Sequence, residues 1–158
     1  MFLNSKERAK RLSVGFEPEA DVPYPVLFKS ERTTVLLFRA VIMKDGRRDT
    51  VGVGILEFEM CLLAKFGYPN DEAIPGHPLA KKGLGYYNIF EVENSSWIKD
   101  NTRMNRIPFP NTKDDTVSSH FVVTFHDSTF ECIAKDLHPK FEIGKYKEIL
   151  DSKYLEFQ

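Results

Sequence analysis

The sequence predicts a mainly β domain of the α+β kind, a single antiparallel sheet system of about five or six strands closed as a barrel or a sandwich, with a short helix after Ser95 and a C-terminal helix. Three observations lead there. Two runs rich in Val, Leu, Ile and Phe, residues 33–43 and 50–64, flank KDGRRD, in which Asp45-Gly46 suits the positive φ angles of a tight hairpin turn. HFVVTFHDSTFECIA, residues 120–134, places apolar side chains at every second position on both sides of a polar centre, the pattern of a second hairpin. Tyr146, Ile149, Leu150, Tyr154 and Phe157 fall at helical spacing within 145–157.

In chain order, residues 1–22 mix charge with Asn4, Ser5 and Pro18 and read as a loose N-terminal arm, so the globular domain spans 23–158. Gly52 and Gly54 alternate with Val51, Val53 and Ile55, which predicts either a large group packed over that face or a bend in the strand. EFEMCLLAKFG fits a continued strand or a helix ending at Gly67. Residues 68–85 hold three prolines and three glycines with no sustained period and read as an extended surface loop. YYNIFEVEN reads as a strand, SSWIKDNTRMNR as a helix capped by Ser95 or Ser96 and carrying Trp97 as a core anchor, and IPFPNTKDDTV as a second loop. In the last hairpin, a turn at Asp127-Ser128 pairs Phe125 with Phe130, Val123 with Cys132 and Phe121 with Ala134, and gathers six apolar side chains on one face.

Composition excludes several classes of function. Lys and Arg total 22 against 23 Asp and Glu, a net charge of −1 that gives no overall attraction to nucleic acid or to an anionic membrane. The longest apolar run is broken by Arg39 and is too short to span a bilayer. The N-terminal residues lack the apolar stretch of a secretory signal, so the expected location is the cytoplasm. Cys61 and Cys132 match no metal-binding spacing and read as small buried hydrophobes of a reducing compartment. No cofactor or metal signature is present.

Two stretches concentrate reactive side chains. His126, Asp127 and Glu131 are the candidate acid–base residues, because imidazole and carboxylate relay protons near neutral pH. Against them, His120 and His126 lie about 20 Å apart along a strand, and Asp127 and Ser128 suit a turn. Asn70, Asp71, Glu72 and His77, with Lys81, are the candidate binding residues of the 68–85 loop.

PNDEAIPGHPL, EVENSSWI and HFVVTFHDSTFECIA together resemble a family of small bacterial proteins that share an FHDSTFE-type segment; the resemblance covers roughly residues 67–138 and implies no activity, ligand or catalytic residue. The functional expectation is a non-catalytic module that binds a small molecule or a protein through the 67–85 loop and the polar end of the last hairpin, with some of its thirteen Phe and six Tyr lining a pocket or a homo-oligomer interface. The alternative is a hydrolase-like enzyme, metal-assisted or not, with His77 or His126 as base beside Asp71, Asp127 or Glu131. Convergence of the two imidazoles on one pocket separates these readings.

Overall fold

Two antiparallel sheets face each other across a core of phenylalanine rings in the computed structural model, which describes residues 6–157. Ten strands and two α-helices are present among the described residues, and the sheets do not close into a barrel. The strands are β1 (Arg8–Arg11), β2 (Glu17–Pro18), β3 (Val26–Lys29), β4 (Thr34–Lys44), β5 (Arg47–Glu59), β6 (Leu63–Gly67), β7 (Ile89–Glu93), β8 (Ser119–Thr124), β9 (Thr129–Ala134) and β10 (Asp136–Glu142). One sheet runs β1-β7-β8-β9-β6; the other runs β10-β5-β4-β2, with β3 also paired to β4.

The hairpin of β4 and β5 forms because Asp45 and Gly46 both take positive φ, 52° and 75°, which matches the right-handed twist of the strands they join. Leu36, Phe38 and Ala40 of β4 point into the core between the sheets, while Leu37 points out beneath the second helix, α2 (Tyr146–Phe157). Burial on both faces explains why consecutive positions of β4, Val35 to Phe38 and Ala40 to Ile42, are apolar on either side of Arg39. The glycines of β5 are where large groups press on the backbone, the first of the two expectations. A Cβ on Gly54 would lie 2.7 Å from Phe38 and 2.8 Å from Phe16, and one on Gly52 would lie 2.5 Å from Phe141. Across the core, Phe58 meets Phe130 at 5.2 Å and Phe38 meets Phe125 at 5.2 Å, edge-on in the second pair.

Three differences from the sequence reading matter. The strand count is ten rather than five or six, because short edge strands carry little apolar signal: β1 is RAKR, and β10 contains Pro139, which an edge strand accommodates. Residues 8–11 and 17–18 of the expected arm are strands, with Ala9 and Phe16 buried; residues 1–5 lie outside the described residues. Of the two courses open to EFEMCLLAKFG, the structure takes the first: it continues as strand, turns at Met60, and returns as β6. Residues 68–85 form a lid of two 3-10 turns, Asp71–Gly76 and Ala80–Lys82, that buries Ile74, Leu79 and Leu84 against Ala9, Phe90, Val92 and Val122 on the outer face of the first sheet. No described helix is long and apolar enough to cross a membrane.

Candidate functional site

The outer face of the β8–β9 hairpin carries the chemistry. Its register pairs Val123 with Phe130, Phe121 with Cys132 and Val122 with Glu131, one step away from the expected pairing, with a four-residue connection closed by Phe125 N–H donating to the Ser128 carbonyl at 2.9 Å. The step preserves both faces, so the six apolar side chains still enter the core. It also moves Glu131 from opposite Thr124 to opposite Val122, which makes His120 its diagonal neighbour on the outer face. His77 comes down from the lid to the same carboxylate.

The result is a buried hydrogen-bonded chain. His77 Nε2 lies 3.0 Å from Glu131 Oε2, His120 Nε2 lies 2.9 Å from Oε1, and His120 Nδ1 lies 2.8 Å from Ser95 Oγ. The side chains of His77, His120 and Glu131 are 6%, 4% and 12% exposed. Burial on its own would raise the Glu131 pKa, but the hydrogen bonds from His120 and His77 outweigh it and hold the group at about 2, so the carboxylate is ionised. An ionised carboxylate only accepts, so both Nε2 atoms donate. The Leu79 backbone N–H donates to His77 Nδ1 at 3.0 Å, which leaves that nitrogen unprotonated and the His77 ring neutral. In the neutral form of His120, Nδ1 accepts the hydroxyl proton of Ser95.

Helix α1 (Ser96–Arg106) positions the outer end of this chain. Ser95 is its N-cap and its Oγ accepts the Ile98 N–H at 3.3 Å. Trp97, in the first turn, sets its ring edge-on to His120 at 5.1 Å, and Lys65 Nζ sits 4.0 Å over the indole. Trp97 is therefore a half-buried cover for His120 rather than a core anchor.

Ser95 also forms part of the wall of a cleft of about 430 Å³ between α1 and the irregular segment 107–118. Arg106 holds that segment against the helix, donating from Nε to the Thr112 carbonyl at 2.8 Å and from Nη2 to Asp114 at 2.7 Å. Asp115 is likewise committed, accepting the Val117 and Ser118 N–H groups. Ser95, Thr102, Ser118 and Ser119 line the cleft with hydroxyls, and Lys99 and Arg103 stand on the helix side. Arg103 has only an exposed pair with Asp100, and Lys99 has no ion-pair partner among the described residues.

The residues singled out from sequence divide into three groups. Glu131 and His77 are brought together, although His77 is hydrogen-bonded into the body of the domain instead of being presented at the surface. His126 goes elsewhere: it is 44% exposed at the rim, 3.0 Å from Asp127 and 3.9 Å from Asp71, whose carboxylate also accepts the Tyr87 hydroxyl at 2.6 Å. The Asp127 hydrogen bond, followed by the Asp71 charge, raises the His126 pKa. Asn70 caps the first lid turn by accepting the Ala73 N–H, and Glu72 is exposed. The two imidazoles thus rest on different carboxylates. Ser95 and His120 were not on the list of candidates, because Ser95 has the signature of a helix cap and His120 joins Glu131 only through the exact strand register. No protein-family model, curated protein or solved structure matches the chain.

Proposed function

We propose that the protein is a small-molecule-binding module whose ligand is a small anion, held in the cleft between α1 and residues 107–118 rather than on the 67–85 loop. One observation carries this reading: Lys99 has no ion-pair partner among the described residues and borders a cleft lined with hydroxyl groups, whose two carboxylates, Asp114 and Asp115, are held by Arg106 and by backbone N–H groups. A carboxylate or phosphate entering there gains a cation without displacing an existing ion pair, and Ser119 offers a hydroxyl for one of its remaining oxygens, those of Ser95 and Thr102 being given to His120 and to the Ile98 carbonyl. Behind the cleft, the His120–Glu131–His77 chain fixes the position of Ser95, so the wall is pre-formed and little ordering is needed on binding.

Trp97 is the single tryptophan and adjoins Ser95, so its emission reports on the cleft. Titration with succinate should give a saturable change that uncharged succinamide does not produce, and Lys99→Ala with Arg103→Ala should abolish it while leaving the melting temperature within a few degrees. An equal response to both probes, or none in the wild type, defeats this reading.

A further inference from the structure

We infer that Ser95 is a nucleophile toward small anionic esters, with His120 as its general base and Glu131 as the carboxylate that stabilises the resulting imidazolium. The inference rests on the cleft being the binding site and adds a reaction to it. Its basis is the order of atoms along the buried chain: Ser95 Oγ at 2.8 Å from His120 Nδ1, His120 Nε2 at 2.9 Å from Glu131, and Ser95, itself 4% exposed, among the residues that line the cleft. Those are the contacts that hydroxyl activation requires, with the imidazole turned so that Nδ1 faces the hydroxyl and Nε2 the carboxylate.

Position on both sides supports the assignment. A serine that served only as a helix cap would need its bond to Ile98 N–H and nothing more, yet this one is joined to an imidazole whose far nitrogen is fixed on a buried carboxylate. His77 fixes the other oxygen of that carboxylate, and its own ring is locked by the Leu79 N–H, so Glu131 has no freedom to turn away from His120. Lys99 and Arg103 would hold the anionic end of the ester on the helix side of the cleft.

The step balances as acyl transfer to water. Ser95 Oγ forms a bond to the ester carbonyl carbon as the bond from that carbon to the alkoxy oxygen breaks. The hydroxyl proton passes to His120 Nδ1 and from there to the departing alcohol. Water, giving a proton to the same Nδ1, then adds to the acyl carbon and breaks the carbon–Oγ bond, which releases the carboxylic acid and restores the Ser95 hydroxyl.

The test is covalent labelling of the folded chain with a fluorophosphonate, read by intact mass and peptide mapping, together with a p-nitrophenyl acetate burst. The expected result is one adduct per chain on Ser95, a burst of about one p-nitrophenolate per chain, and protection by succinate. His120→Asn should slow labelling at least about 100-fold. If that variant does not fold, the wild-type adduct and burst still decide the matter. Absence of both from folded wild-type protein, or an adduct on another serine, overturns the inference. Succinate binding without any adduct would remove the nucleophile and leave the binding site intact. An adduct on Ser95 that succinate neither blocks nor slows would keep the nucleophile and remove the anion site.

Discussion

Glu131→Gln keeps the shape of the side chain and removes its charge, which isolates what the buried carboxylate contributes. In the folded protein, burial opposes ionisation and the His120 and His77 hydrogen bonds override it, bringing the pKa to about 2 from an ordinary 4.5. A depressed carboxyl stabilises the fold fully above its unfolded pKa and loses that contribution as pH falls through the folded value. The shift corresponds to about 3 kcal/mol at pH 7, and less than half of it survives at pH 3. The glutamine variant has no such titration. Urea unfolding of the two proteins should therefore show a stability gap that narrows by about 2 kcal/mol between pH 7 and pH 3. A second consequence concerns protons. His77 keeps Nε2–H because Nδ1 is occupied, so the glutamine carbonyl must face His77 and its amide must face His120. His120 then accepts at Nε2, carries its proton on Nδ1, and no longer takes the Ser95 proton. Nitrogen-15 shifts of the ring should report that tautomer exchange. A gap that stays constant with pH to within about 0.5 kcal/mol would refute the account of Glu131 as a charge held between two histidines.

Phe125→Ala should cost about 3–5 kcal/mol in chemical denaturation, since the ring is 1% exposed and packs edge-on against Phe38; a loss below half a kcal/mol would place it outside the core. Cys61 is half-buried and its pKa is lowered, chiefly by a hydrogen bond from Cys132, while Cys132 is fully buried and pushed up by that burial. Iodoacetamide at pH 7 should therefore modify Cys61 alone in native protein, with Cys132 reacting only in urea, as mass mapping will show. EDTA should leave the melting temperature unchanged: Glu59, Asp136 and His138 are the described residues spaced to share a cation, and Glu59 already pairs with Lys135 and His138. A drop of many degrees would contradict this.

Elements whose signal is local were legible. Asp45-Gly46 announced its turn, the Ser95-Ser96 pair a helix cap, and the alternation of Phe121, Val123 and Phe125 the face that enters the core. The lid was misread because its prolines and glycines hide three separated apolar residues, Ile74, Leu79 and Leu84, which show no period until 3-10 turns bring them onto one side. His77 looked like a surface group for the same reason. The Ser95–His120–Glu131 chain lay beyond local pattern altogether, because it joins a helix cap, one strand and its neighbour through a register that differs by one pairing step from the one the turn residues favoured.

The measurement that tests the proposed binding site most directly is a succinate titration followed by amide proton and nitrogen shifts. Anion binding in the cleft predicts saturable movements concentrated in residues 94–106 and 112–119, together with the Trp97 indole, and quiet amides across the 68–85 lid except near His77. Movements centred on the lid or spread evenly over both sheets, or shifts that rise linearly without saturating, would contradict it.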